Sequence, residues 1–351
     1  MSDKFTRISI WKMDNLLTRL EDIIPLLKKD YSQQIDFLQE YRGLSREDKT
    51  LQNKWVPKSG DNIQIRTRNI FGETFRYIEV TAIFETGYGE KRSVVNGEVL
   101  PRNHRIFNHS AKVVFFEMFG SIYCTLEVAA TYESRIRSVL MGQRRGHKIE
   151  AWGKITYKKV LPFSFDSRFF YWLLSKKESV LAKFTDTNSR NEVNMQLVDV
   201  SALSLLGDRS SYDSSNEGTS LLTESLTALS GLGCNNNVYL MGVKFKIGSL
   251  TMILRFNSEG QCILDVDRSL YVNEKEEMIG IDDDSPFFIG AIYGVTFPRL
   301  IDLYVVEKGS DKWTESQEEE QRKNWALKVI KDLCVHNKIT KAEVDKLLIN
   351  N

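Results

Sequence analysis

Two aspartates at the end of an apolar segment are the first residues whose type and spacing could do chemistry. Asp265 and Asp267 close the run GQCILDVD. Alternate residues of a strand point to one face, so the sequence predicts that the two carboxylates lie side by side. Such a pair can hold Mg²⁺ for nuclease chemistry, and the aspartates at 282–284 could add ligands. The alternative is that strand-end aspartates simply face water.

A second candidate is the segment PRNHRIFNHS, in which Arg102 and Asn103 are followed after five residues by His109. This pattern resembles the motif of HEPN-type ribonucleases. The resemblance implies that Arg102 and His109 act on the 2′-hydroxyl and the scissile phosphate of RNA, from a helix in an all-helical domain. The surrounding residues are predicted strands, so the alternative is a loop histidine with a structural hydrogen bond.

The strongest charge signal is the stretch from 134 to 159, whose formal charge is +7 in a chain of net charge +1. Lys and Arg in such a stretch can neutralise the phosphates of a nucleic acid. Trp152 and Tyr157 could stack on unpaired bases, and Arg66 and Arg68 could extend the surface. We predict that the phosphate contacts are made by Arg135, Arg137, Arg144, Arg145, Lys148, Lys154, Lys158 and Lys159.

An acidic region offers a different explanation for the same basic stretch. Residues 274–320 hold thirteen Asp or Glu against four Lys or Arg. The two regions could pair within one chain, across a homodimer, or with an acidic protein partner. A third explanation is an ordinary solvated face.

Motif and composition patterns exclude several other classes. The sequence has four scattered His and four scattered Cys, without the spacing of a zinc site. It has no P-loop, GxSxG or HExxH pattern. We expect no cofactor, with Mg²⁺ needed only by a nuclease. The N-terminus has no signal-peptide pattern and no apolar run approaches 18 residues, so we predict a cytoplasmic protein without a membrane partner.

The order of predicted elements favours an α+β fold of two domains. Successive strands are predicted between 62 and 131, including a hairpin turn at Asn96-Gly97, and over 149–160. Asp166 is predicted to begin a long helix, and the apolar runs 287–297 and 300–307 are predicted strands. The capping boxes at Thr314 and Thr340 predict a C-terminal helical hairpin. The predicted domains are 1–182 and 192–351, each built on a mainly antiparallel sheet with flanking helices.

These patterns favour a binding protein over an enzyme. We expect a nucleic-acid-binding protein that contacts phosphates without sequence specificity, in a phage-defence or mobile-element setting. The alternatives are an interaction protein or homo-oligomeric accessory subunit with complementary basic and acidic surfaces, and a nuclease.

Overall fold

The computed structural model describes residues 4–58, 62–143, 152–185, 192–207 and 213–349. The chain forms two compact units. One comprises Thr6–Leu161 and Asp284–Gly294, and we call it the N-terminal unit. The other comprises Met1–Phe5, Pro162–Asp283 and Val295–Asn351, and we call it the C-terminal unit. The predicted domains, 1–182 and 192–351, divide the chain once, whereas each of these units is made of separate segments of the chain.

The N-terminal unit is built on an antiparallel sheet with short helices between its strands. The elements in chain order are β1 (Phe5–Lys12), α1 (Leu20–Leu27), β2 (Gln33–Gln34), β3 (Thr50–Leu51), β4 (Asn53–Pro57), β5 (Arg66–Ile70), β6 (Glu73–Gly87), α2 (Glu90–Ser93), β7 (Val94–Val95), β8 (Glu98–Val99), α3 (Arg102–Arg105), β9 (Ile106–Met118), β10 (Ser121–Glu127) and α4 (Ala130–Leu140). A 3₁₀ turn, Asp36–Leu38, lies between β2 and β3.

The main sheet of this unit has the order β1-β10-β9-β6-β4, with β5 beside the first part of β6. One face is buried under α1 and α4, where Trp55, Phe115 and Trp152 pack together. The other face carries Phe75 and Phe116, which pack against each other. Gly290 lies so close to Phe75 that a Cβ atom there would be 2.9 Å from the ring, so only glycine fits.

The C-terminal unit has its own set of antiparallel strands and the longest helices. Its elements are α5 (Ser167–Ser175), β11 (Val180–Thr185), β12 (Glu192–Leu206), β13 (Asp213–Glu217), α6 (Leu221–Glu224), α7 (Leu226–Gly233), β14 (Asn237–Ile247), β15 (Leu250–Asn257), β16 (Cys262–Asp265), β17 (Leu270–Val272) and β18 (Met278–Gly280). A helical segment follows in the chain, with α8 (Ser285–Ile289), the π-helix Gly290–Thr296 and α9 (Phe297–Gly309). Its first part, up to Gly294, belongs to the N-terminal unit. The chain ends with α10 (Glu315–Asn337) and α11 (Lys341–Ile349).

The strand order in the C-terminal unit is β11-β12-β14-β15-β16, with β13 beside β12 and the β17–β18 hairpin beside β15. Helix α5 packs on β14, with Phe165, Phe170 and Phe256 in contact. Helix α10 packs on α7, where a Cβ atom on Gly233 would lie 3.0 Å from the Ala326 Cβ. The close approach of these two helices therefore needs glycine at 233.

The predicted α+β class is confirmed, together with the antiparallel sheets and the helical C-terminal region. The Thr314 cap is present, since its Oγ1 accepts a hydrogen bond from the Gln317 amide. Two element predictions for the second half of the chain are wrong. The apolar runs after 287 are helical, and the helix after Asp166 ends at Ser175 because the chain then turns into β11.

The apolar helical segment also bears on the expectation of no membrane span. Ser285–Gly309 is long and apolar enough to cross a membrane, the one such helix within the described ranges. Within its most apolar window, however, 56% of the residues are buried inside the protein. A buried core helix of a water-soluble domain has the same property.

Candidate functional site

The basic stretch is fixed to the N-terminal unit at two points. Helix α4 supplies its first part, and the residues after Trp152 form its last part. Trp152 is 1% exposed, and its indole Nε1 donates to the Tyr31 hydroxyl at 2.9 Å. The Lys154 amide donates to Asp14 Oδ2 at 2.7 Å. The sequence-based proposal that Trp152 stacks on a base is therefore wrong, because its ring is part of the core.

Close packing explains the glycine between these two anchors. Gly153 has φ +60°, and a Cβ atom there would lie 2.5 Å from the Asp14 side chain. The Gln143 side chain donates to the Gly153 carbonyl, so residues 143 and 153 lie next to each other. The hydrogen bonds from Leu16 and Lys154 to Asp14, aided by the nearby Lys154 charge, lower the pKa of the Asp14 carboxyl.

The segment after Trp152 is not the predicted strand over 149–160. A single antiparallel bridge joins it to β1, with Lys12 and Thr156 exchanging hydrogen bonds of 2.8 and 2.9 Å. Residues 149–151 of that prediction lie outside the described residues. The bridge nevertheless places Tyr157 beside the Arg137 side chain.

Arg137 supports the Tyr157 ring instead of pointing to solvent. Its guanidinium carbon lies 3.7 Å from the centre of the Tyr157 ring and 5.0 Å from that of Trp11. The side chain is 14% exposed and faces Glu133 at 3.9 Å. Burial lowers the pKa of Arg137 from its usual value. The Arg137 guanidinium is thus engaged with two aromatic rings, and its contact with phosphate stays a prediction.

The remaining predicted contacts divide into exposed and partly buried residues. Lys154, Lys158 and Lys159 are exposed, and Tyr157 keeps 39% of its surface. We call these four residues the lysine surface. Arg135 is half-buried, and its Nη2 donates to the Glu85 carbonyl at 3.3 Å. Arg144, Arg145 and Lys148 lie outside the described residues.

The two arginines proposed as an extension are held by carboxylates. Arg68 Nη1 lies 2.5 Å from Asp284 Oδ2, and its guanidinium covers the Phe287 ring. Arg66 lies 3.8 Å from Glu79. The lysine surface differs from these positions because no ion pair within 4 Å joins Lys158 or Lys159 to a described residue.

The proposed ribonuclease pair is not brought together. Arg102 lies on α3, where it donates to the Glu47 and Thr50 carbonyls and pairs with Glu85 Oε2 at 2.6 Å. His109 lies on β9 opposite Phe84, with its Nε2 2.8 Å from Thr86 Oγ1. Because neighbouring residues of a strand point to opposite faces, Glu85 directs Arg102 away from the face of His109. The all-helical domain implied by the resemblance is also contradicted, since β9 belongs to the main sheet.

The aspartate pair is separated as well. Strand β16 ends at Asp265, which is 1% exposed and accepts two hydrogen bonds from Arg268, from the amide at 3.0 Å and from Nε at 2.6 Å. Asp267 lies in the following turn and is exposed. The prediction that they share a strand face is wrong, because the strand stops between them. No group of three metal-binding side chains occurs in the described part of the chain.

Some carboxylates of the acidic region form ion pairs with nearby basic residues. Asp282 pairs with Lys4, and Glu318 pairs with Arg168 at 3.0 Å and with Arg322 at 2.5 Å. These ion pairs lie within the C-terminal unit. They reduce the acid available to neutralise a basic partner surface.

Comparison with known proteins adds no family to this picture. The sequence matches no protein-family model, and no curated protein matches it significantly.

Proposed function

We propose that the protein binds nucleic acid through the lysine surface. The observation that supports this proposal best is that the exposed residues Lys154, Lys158 and Lys159 lie within three positions of Tyr157 in the sequence, while the Tyr157 ring is backed by Arg137. Three mobile ammonium groups can follow a line of phosphates without reading the sequence of the bases. We propose a cytoplasmic protein in a phage-defence or mobile-element setting, as the sequence analysis expected.

Tyr157 favours a single-stranded ligand over a duplex. One face of the ring is covered by Arg137. With 39% of its surface exposed, the residue can offer an unpaired base a flat apolar platform. A cation behind the ring also fixes the ring plane, so less side-chain entropy is lost when a base binds.

The test is an anisotropy titration of labelled single-stranded RNA, single-stranded DNA and duplex DNA at two salt concentrations. The test variant carries Lys154→Ala, Lys158→Ala and Lys159→Ala. The matched control carries Lys28→Ala, Lys29→Ala and Lys54→Ala, three exposed lysines of the same unit. We expect affinity to fall with salt and to fall further in the test variant, while the control keeps the affinity of the wild type.

Two results would contradict the proposal. Folded wild-type protein that binds none of the three ligands at low salt would exclude nucleic acid as the partner. Equal losses in the test and control variants would show that general positive charge, and not this surface, attracts the ligand.

A second candidate function is self-association through α10. Val329 is buried against the unit, but Leu327, Ile330 and Leu333 on the same helix are 51, 50 and 43% exposed. A spacing of three residues places these side chains on adjacent parts of one helix face. An apolar stripe of this kind is typical of protein contacts. We therefore also propose that the protein is an interaction protein whose partner is a second copy of the chain. The acidic and basic regions could contribute to that contact.

Sedimentation measurements can test that second candidate. Ile330→Glu should convert an oligomer to a monomer, whereas the neighbouring Lys331→Glu should not. A wild-type protein that is monomeric at high micromolar concentration would exclude self-association.

A further inference from the structure

The C-terminal unit contains a cleft that the sequence analysis did not single out. It has a volume of about 390 Å³, a size suited to a small molecule. Its walls come from β12, β14, β15 and β16, with the residues after β13 at one side and Phe5 at another. All of these residues belong to the C-terminal unit.

The sheet register brings charged and apolar residues together across the cleft. Asp199 on β12 is opposite Lys244 on β14, and Lys244 is opposite Ile253 on β15. Opposed residues of an antiparallel sheet point to the same face, so these three side chains form one row. Arg255 lies two residues after Ile253 and therefore extends the same face.

Among the described residues, Lys244 is the cation of the cleft for which no ion pair is found. It is half-buried, and within the described part of the chain its ammonium group makes neither an ion pair nor a hydrogen bond. The opposed Asp199 is engaged elsewhere, since its carboxylate accepts from the Ser220 amide at 3.1 Å and faces Lys177 at 3.8 Å. A partly desolvated ammonium group without an anionic partner favours the arrival of an anion.

Arg255 is held rigidly beside it. Its Nη1 and Nη2 pair with the two oxygens of Glu217 at 2.5 and 3.0 Å, and its guanidinium lies 5.3 Å from the centre of the Phe5 ring. Glu217 therefore neutralises Arg255. Removing that carboxylate would leave two neighbouring cations facing the same space.

We propose that this cleft binds a small organic phosphate. Lys244 supplies the charge, and the hydroxyl groups of Ser201 and Thr219, which also line the cleft, supply further donors to a group with three oxygens. The carbon body of the ligand packs on Ile253, Ile263 and Phe5. This proposal is independent of the lysine surface, because it uses other residues and a ligand of bounded size.

Calorimetric titration with AMP, ribose 5-phosphate, adenosine and inorganic phosphate tests the proposal. The test variant is Lys244→Met, which removes the charge and keeps the aliphatic stem. Its control is Lys246→Met, two residues further along β14 on the same face but outside the cleft lining. We expect Lys244→Met to weaken binding of an organic phosphate about tenfold to a hundredfold, the usual range for losing a hydrogen bond to a charged group. Lys246→Met should bind as the wild type does.

A second variant, expected to increase the affinity, distinguishes loss of the binding site from loss of the fold. Glu217→Gln should tighten phosphate binding, because it frees Arg255, and a misfolded protein would not bind more tightly. The triple alanine variant of the lysine surface should bind AMP unchanged, which separates failure of this proposal from failure of nucleic-acid binding.

Several outcomes would overturn the proposal. They are no binding of either organic phosphate by folded protein, equal affinities of Lys244→Met and Lys246→Met, or equal affinities for AMP and adenosine. Equal affinity for inorganic phosphate and for both organic phosphates would contradict the proposal that the carbon body of the ligand packs on Ile253, Ile263 and Phe5.

Discussion

The lysine surface and the Lys244 cleft use the same kind of side chain in different surroundings. Lys158 and Lys159 are exposed, whereas Lys244 is half-buried and lies among two carboxylates and two other cations. Exposed charges are screened by salt and can bind phosphates in many arrangements, which suits a long polyanion. A partly buried charge beside fixed groups can bind only a ligand that fits, so the difference between the regions is one of selectivity.

The first prediction concerns the anchor of the lysine surface and has the largest expected effect. Trp152→Ala should lower the free energy of unfolding by about 3–5 kcal/mol, because it removes a fully buried ring that packs on Trp55 and Phe115. Urea denaturation measures the change. The control Lys158→Ala should stay within about 0.5 kcal/mol of wild type. A loss below about 1 kcal/mol for Trp152→Ala would contradict the account of the core.

The second prediction separates stacking from phosphate contact within the lysine surface. Tyr157→Ala should weaken binding of single-stranded nucleic acid by about 1–3 kcal/mol and should affect duplex binding much less, because only unpaired bases can stack. Anisotropy titration gives both affinities. Tyr157→Phe keeps the ring and should bind normally. Equal losses for single strands and duplex would remove stacking from the proposal.

The third prediction tests whether Arg137 acts by supporting Tyr157. Arg137→Met should cost about 1–2 kcal/mol of stability, since each cation–π contact with Tyr157 or Trp11 contributes about 0.5–2 kcal/mol. It should also weaken single-strand binding without changing the salt slope, because Arg137 itself contacts no phosphate in this account. A reduced salt slope would show that Arg137 is a phosphate contact after all.

The fourth prediction has the smallest effect and concerns pH. The folded protein lowers the pKa of Asp14, so its carboxylate stabilises the fold above the unfolded pKa of about 3.9. That contribution is lost as the pH falls through the lower, folded-state pKa. Asp14→Ala should therefore reduce stability at pH 7, by less than about 1 kcal/mol because the group is partly exposed, and the difference should shrink towards pH 3. A difference that stays constant with pH would contradict this role of the charge.

Local signals explain the parts of the fold that the sequence predicted well. Asn96 and Gly97 both have positive φ, 53° and 82°, as the predicted hairpin turn requires, and β7 and β8 pair on either side. Asp166 accepts from the Phe169 amide at the start of α5. Each of these features depends on a few neighbouring residues, so its pattern can be read without knowing what packs around it.

The errors occur where distant contacts decide the structure. The run from Phe287 to Val306 is rich in aromatic and β-branched residues, which favours strands, and α8, whose residues are all buried, has no polar side to give a helical period. The surroundings of Arg137 could not be predicted either, because Trp11 and Tyr157 reach it from positions 126 and 20 residues away. The register that places Lys244 opposite Asp199 depends on a bulge in β12 for which we find no short sequence signal.

The most direct test of nucleic-acid binding by the lysine surface is the dependence of the binding constant on salt. In a plot of log K against log salt concentration for single-stranded RNA, each phosphate contact contributes a slope of about −0.7. The account predicts that Lys154→Ala, Lys158→Ala and Lys159→Ala together flatten the wild-type slope by about 2, whereas the control at Lys28, Lys29 and Lys54 leaves it unchanged. An identical slope in wild type and in the test variant would contradict the central claim.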